Sequence, residues 1–270
     1  MMVIDLFSLK GKVAIVTGAT GLIGEKHCLA LNEAGANVVV ADLDEQKCVE
    51  FVHDNLDFST GHFLDVTKKE SIIRLMDDVL LKYSRIDILI NNAAINEMFE
   101  DPIAGTEQSK FENYPLELWQ RSMDVNLTGV FLCSQVIGSH MADQGQGSII
   151  NISSTYGITA PDQNLYKTPD GIQSFYKPPA YPVTKAGVIM LTRYLAAYWG
   201  ACGVRINTLT PGGVKNGQDD FFIKNYSRRT PLGRMAEPVD YMGALLFLAS
   251  DASSYMTGAN LIVDGGWTCW

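Results

Sequence analysis

A chain of 270 residues is long enough for one large domain or two small ones, and an apolar fraction of 47% is ordinary for a globular core. The formal charge of −9 argues against a general nucleic-acid binder, and the stretch from Met1 to Lys12 lacks the form of a secretory signal. Cys28, Cys48, Cys133, Cys202 and Cys269 are scattered without a Cys-x-x-Cys, and His27, His53, His62 and His140 share no ligand spacing. A reduced, cytoplasmic protein without a metal site is therefore expected.

In chain order, Val13-Ala14-Ile15-Val16 is a short apolar run of the buried-strand kind. It feeds Thr17-Gly18-Ala19-Thr20-Gly21-Leu22-Ile23-Gly24 and then a helical pattern through Ala34. Strand, glycine turn and helix in that order suit a phosphate, because the backbone can come close and the helix N-terminus favours negative charge. The bland alternative is a merely tight strand-to-helix turn. Val38-Val39-Val40-Ala41 is a second strand closed by Asp42. An acid roughly 20 residues past the glycines can accept from both hydroxyls of an adenine ribose and repels a 2′-phosphate. It can also be an ordinary strand-end turn acid.

His62 to Thr67 reads as a third strand, Lys69 to Tyr83 as a helix, and Ile86 to Ile90 as a fourth strand followed by Asn91-Asn92-Ala93-Ala94. A polar stretch near residues 96–114 is a surface excursion, and Leu116 to Met141 is a long helix containing Asn126. Gly147 to Ser154 is a fifth strand, and a second excursion near 155–180 is rich in Tyr, Pro and Gly. The helix from Ala186 is apolar but interrupted by Arg193, so no membrane span is expected. Val204 to Leu209 is a sixth strand ending in Pro211-Gly212-Gly213-Val214, residues 215–230 suit a lid, Tyr241 to Ala249 is helical, and Ala259 to Gly266 is a last strand and turn. Strands alternating with helices give an α/β, Rossmann-type doubly wound parallel sheet in three αβα layers. With no repeat or linker, the chain is expected to be a single dinucleotide-binding and catalytic domain over residues 1–270.

Tyr181 and Lys185 are four apart, so on a helix they share a face. A phenol titrates near 10, and a neighbouring ammonium lowers that value, which suits proton transfer at neutral pH. The same spacing also occurs on solvated helix faces. Pro178, Pro179 and Pro182 place Tyr181 at a helix start.

Thr17-Gly18 to Gly24, Asp65-Val66, Asn91 to Ala94, Asn126, Ser154, Tyr181-x-x-x-Lys185 and Pro211-Gly212 stand in one order, and the chain from about Leu9 to Gly266 resembles the short-chain dehydrogenase/reductase family in its compact form. The resemblance implies that Tyr181 is the acid and base, that Lys185 lowers its pKa and holds the nicotinamide ribose, that Ser154 bonds the substrate oxygen, and that Asn126 kinks its helix and holds a water. It implies an NAD site made of Gly18, Thr20, Gly21, Leu22, Ile23, Gly24, Asp42, Leu43, Asp65, Val66, Asn92, Ala93, Ala94, Ile152, Tyr181, Lys185, Pro211, Gly212 and Val214. It also implies pairing of the helices from Leu116 and Ala186 into a homodimer or homotetramer, with Trp267 and Trp270 as candidate anchors.

The chain departs from the family pattern in three places. The middle glycine is Gly21, a spacing similar to the sugar-nucleotide-modifying branch. Ser154 and Tyr181 stand 27 positions apart, against roughly a dozen in the usual pattern. Asn216 takes the place of a usual hydroxyl after the Pro-Gly turn. Ser153 remains an alternative to Ser154.

The expected activity is NAD-dependent interconversion of a secondary alcohol and a ketone on a small polar molecule, a sugar, sugar acid or hydroxy acid. The alternatives are an NADPH-dependent 3-oxoacyl-carrier reductase and a non-catalytic dinucleotide binder. The first is disfavoured by Asp42 and by the lack of a basic residue beside it, the second by the intact acid-base set. Asn96, Gln163, Asn164, Tyr166, Lys167 and Gln173 suit hydroxyl recognition, and Lys215, Lys224, Arg228 and Arg229 suit a carboxylate. Phe221, Phe222 and Ile223 fit one side of a lid helix. An apolar pocket for a lipid or steroid is the competing version.

Overall fold

The computed structural model describes residues 2–96 and 104–270. Seven strands form one parallel sheet in the order β3-β2-β1-β4-β5-β6-β7. They are β1 Val13–Thr17, β2 Asn37–Asp42, β3 Thr60–Phe63, β4 Ile88–Asn91, β5 Gly147–Ile152, β6 Val204–Pro211 and β7 Asn260–Val263. The helices between them are α1 Gly24–Glu33, α2 Glu45–Asn55, α3 Lys69–Tyr83, α4 Ala104–Ser109, α5 Leu116–Met123, α6 Gly129–Cys133, α7 Ser139–Gln144, α8 Ala180–Trp199, α9 Asp220–Arg229 and α10 Met242–Ala249.

Side chains alternate across each strand, and here both faces are covered. Val13 and Ile15 join Val39, Leu89, Ile149 and Ile206 in one core, which α3, α7 and α8 close with Leu75, Met141 and Trp199. Ala14 and Val16 join Val38, Val40, Ile90 and Ile150 in the other, which α1 and α10 close with Leu31, Leu245 and Leu248. The central strands β1 and β2 therefore carry the apolar runs Val13 to Val16 and Val38 to Ala41. Polar ends are satisfied: Asp44 caps α2 by accepting from Lys47 N at 3.0 Å, and Asp219 caps α9 by accepting from Phe222 N at 2.8 Å.

The third strand ends at Phe63 rather than Thr67. Leu64 and Val66 are buried because they pack against the α3 side, outside any ladder. The fifth ends at Ile152, and the sixth runs on to Pro211. The long helix is a rod over 116–144 in which two π turns, Asp124–Thr128 and Ser134–Gly138, interrupt the α pattern. The first excursion falls partly on residues 97–103, which lie outside those described.

The chain winds from β1 outward to β3, then crosses back to β4 and proceeds the other way. That reversal leaves a crevice beyond the carboxyl ends of β1 and β4, where open α/β sheets bind ligands. No helix among the described residues is long and apolar enough to cross a membrane.

Candidate active site

A cavity of about 1700 Å³ opens along the carboxyl ends of the strands. Every residue expected to meet the cofactor lines it, as do Ser154, Tyr181 and Lys185. Its size exceeds the roughly 300–1,000 Å³ of a pocket for one drug-sized ligand, so a dinucleotide and a substrate fit together.

The glycine turn fits a close-lying phosphate. Gly18 has φ +60°, and a Cβ there would stand 2.7 Å from the Cα of Ala93. A Cβ on Gly24 would stand 2.4 Å from the carbonyl oxygen of Gly18. Only glycine lets the turn, the strand β4 end and the start of α1 close on one another. Asn92 ties the same two strand ends, its Nδ2 donating to Thr17 O at 3.0 Å and Gly18 O at 2.8 Å.

Asp42 stands at the end of β2. Its Oδ2 accepts from the amide and the hydroxyl of Thr20, at 3.0 and 2.8 Å. Its Oδ1 accepts from Leu43 N at 2.8 Å. The fold also brings in a base that no motif marked: Lys47 of α2 donates from Nζ to the carbonyl of Thr20 at 2.9 Å.

At the opposite end, Tyr181 lies in the first turn of α8, which Pro179 precedes. Ser154 bonds the Tyr181 phenol. Ser153, by contrast, donates to Lys185 O at 2.8 Å and is directed at the α8 backbone. Lys185 is buried and donates from Nζ to Ile152 O at 2.8 Å, with Nζ 5.7 Å from the centre of the Tyr181 ring. The expected lowering of the Tyr181 pKa by Lys185 is corrected here. Burial raises the phenol above its ordinary value, and the Ser154 bond only partly opposes it. Burial also takes the Lys185 ammonium down to about 8.

Asn126 does not line the cavity. It is fully buried in the first π turn, where it accepts from Ile95 N at 2.8 Å and donates to Ile95 O at 2.9 Å. It thus ties the chain leaving β4 to the helix rod beside α8. A second buried chain of bonds runs Asn91 to Asn151 to Thr192, at 2.8 Å each, and stitches β4, β5 and α8 together.

The substrate end differs from expectation. Gln163, Asn164, Lys167 and Gln173 do not face the cavity; only Asn96 and Tyr166 of the six residues expected to bind hydroxyls do. Gln163 and Gln173 bond backbone groups of the excursion itself. None of Lys215, Lys224, Arg228 and Arg229 lines the cavity either. Arg229 pairs with Asp162 and stacks 5.0 Å from the Trp267 ring. Trp267 is 3% exposed and packs against Tyr226 at 5.5 Å, so it is a core residue and no interface anchor. Phe222 and Ile223 of α9 pack on Tyr166, Tyr226, Met235 and Trp267, and this aromatic cluster walls the cavity. Two further phenols of the cavity wall, Tyr156 and Tyr166, bond each other at 2.9 Å, and burial pushes both up. Lys177, from the second excursion, is a cavity cation that the sequence reading missed, as are Lys68 and Arg121. It precedes Pro178-Pro179 in a stretch with no periodicity, so no pattern marked it.

The sequence model of a family described as enoyl-(acyl carrier protein) reductase matches residues 18–268. The chain belongs to the short-chain dehydrogenase/reductase family. It is 32% identical over 267 residues to a protein of Listeria innocua named NAD-dependent glycerol dehydrogenase, covering 97% of this chain and 96% of that one. It is 36% identical over 258 residues to a 3-alpha-(or 20-beta)-hydroxysteroid dehydrogenase of Mycobacterium bovis, covering 96% and 90%. A solved gluconate 5-dehydrogenase from Burkholderia cenocepacia, in complex with NADP and tartrate, superposes with a TM-score of 0.85 at 31% identity over the full length of both chains. Short-chain dehydrogenases bind a nicotinamide dinucleotide, and the glycine turn described above fits one.

Proposed function

We propose that the protein interconverts a secondary alcohol and a ketone on a small polar substrate, using NAD. The observation that carries this reading is the convergence of Ser154, Tyr181 and Lys185 at one end of a cavity whose other end is the glycine turn. A nicotinamide dinucleotide bound along that cavity supplies or accepts the hydride. Tyr181 gives its phenolic proton to the substrate oxygen in reduction and takes the hydroxyl proton in oxidation. Ser154 donates to the same oxygen and holds it within reach of the phenol. Lys185, one turn on, steadies the phenolate that forms and is placed to bond a ribose. Asn126 acts by position, fixing Ile95 at the cavity edge.

Asp42 supports NAD over NADP, since its carboxylate stands where a 2′-phosphate would be repelled. The relatives active on glycerol and gluconate support a polar substrate. The aromatic wall, together with the hydroxysteroid relative, favours a second reading in which a polycyclic alcohol is the substrate. α9 would then serve as cover in either case, and a homodimer or homotetramer is the proposed assembly.

A panel of polyols, sugar acids and ring alcohols, scored by NADH absorbance, tests the proposal. Tyr181→Phe should lose about two orders of magnitude or more of kcat while binding NADH like the wild type. Substantial residual turnover would move the proton to Tyr156. Asp42→Ala should narrow the preference for NAD; a wild type that uses NADP as well as NAD would reject that part.

A further inference from the structure

The cavity end that holds Tyr181 carries a second lysine. Lys177 is 6% exposed, and its ammonium stands 5.1 Å from the centre of the Tyr181 ring, closer than that of Lys185. Taking an ammonium out of water is costly, so its placement needs a structural cause. A clamp on its backbone helps to hold it there. Lys177 N donates to Gln163 Oε1 at 2.8 Å, and Gln163 Nε2 donates back to Lys177 O at 3.2 Å. Gln173 in turn donates to Gln163 O at 2.9 Å and Phe175 O at 2.7 Å. Two glutamines that looked like sugar-binding groups thus hold one cation in the pocket wall. The ammonium also donates to Asn96 Oδ1, which lines the same cavity. Tyr156, Tyr166, Phe175 and Phe222 line the same cavity.

We propose that Lys177 receives a carboxylate of the substrate, so that the enzyme acts on a hydroxy acid and its oxo acid. This rests on the alcohol dehydrogenase reading above and names the substrate class within it. Lysine has three donors, and a carboxylate accepting one of them makes a charge-assisted bond in a site partly screened from water. Because the cation lies over the ring that moves the proton, the carboxylate and the reacting carbon sit a few bonds apart on one molecule. The aromatic wall covers the carbon frame between them. The cations expected for this task, Arg228 and Arg229, are outside the cavity.

The test compares a graded series of hydroxy acids, from lactate to gluconate and 4-hydroxycyclohexanecarboxylate, each with its primary amide, at saturating NAD and fixed ionic strength. In the wild type at least one acid should exceed its amide about tenfold or more in kcat/KM. Lys177→Gln should cut that ratio about tenfold, chiefly through KM for the acid, and Lys177→Arg should keep most of it. NADH binding and melting temperature serve as folding controls. Amides, polyols or ring alcohols reacting as well as the acids in the wild type would overturn the inference without any variant. So would a Lys177→Gln enzyme that loses kcat equally on acid and amide with a shifted pH profile, since that places Lys177 on the Tyr181 phenol alone. If no alcohol of any class reacts, the dehydrogenase reading falls first and takes this one with it.

Discussion

His27 shows how a single buried side chain sets a pH limit. It is fully buried in α1, and neither ring nitrogen has a partner among the described residues. Burial pushes the imidazole down from 6.5 to about 4. The unfolded chain therefore takes up a proton between those two values that the folded chain refuses. The resulting stability is fully present above pH 6.5 and is lost as pH falls toward 4, by about 3 kcal/mol in all. Urea midpoints measured at pH 7 and at pH 4.5 should separate in the wild type by more than in His27→Leu. Equal separations would mean that the histidine takes up its proton as readily in the folded chain as in the unfolded one. At the same scale, Lys177 and Gln163 were not legible as a unit. Their bonds join positions 14 apart across an aperiodic loop, and no local pattern encodes such a pairing. The family pattern favoured Ser154 over Ser153, and the fold agrees with that preference by directing Ser153 at α8.

Among elements, the order of strands and helices was legible because both sheet faces are buried and the central strands carry apolar runs, as Val13 to Val16 and Val38 to Ala41 do. Boundaries were less so. Leu64 and Val66 carry the same alternation as a strand, yet they are buried by helix packing. The π turns at 124–128 and 134–138 leave no mark on an apolar periodicity that continues through them. The strand–turn–helix unit from β1 to α1 makes a sharper prediction. A methyl on Gly24 would meet two backbone carbonyl oxygens, of Gly18 at 2.4 Å and Ala19 at 2.8 Å. A methyl on Gly21 would meet only Gly18 O, at 3.3 Å. Gly24→Ala should then weaken NADH binding about tenfold or more by displacing the turn, and Gly21→Ala should weaken it far less. A fluorescence titration in which both variants bind alike would show that the turn yields freely and that the Gly21 spacing matters as much as the helix start.

For the whole molecule, the question is what covers α8. Its inner side packs into the core through Val188, Thr192, Leu195 and Trp199. Its outer side carries Met190, Tyr194 and Tyr198 at four-residue spacing, with the two tyrosines 60% and 65% exposed and their rings stacked 6.0 Å apart. Val183 on the same helix and Phe131 on α6 extend the exposed apolar surface. Apolar side chains in such a row, backed by a rigid helix pair, suit an isologous contact in which the same face meets itself across a two-fold axis. Trp270, 78% exposed, is a candidate for a second contact that would turn a dimer into a tetramer. Charge placed on the stripe distinguishes these contacts. Tyr194→Asp combined with Tyr198→Asp puts four carboxylates into a two-fold interface and should dissociate it, whereas Trp270→Ala should at most reduce a tetramer to a dimer. Light scattering at micromolar concentration reads both. A wild type that is monomeric there would remove the proposal, and a doubly charged variant that keeps the wild-type mass would move the interface away from α8.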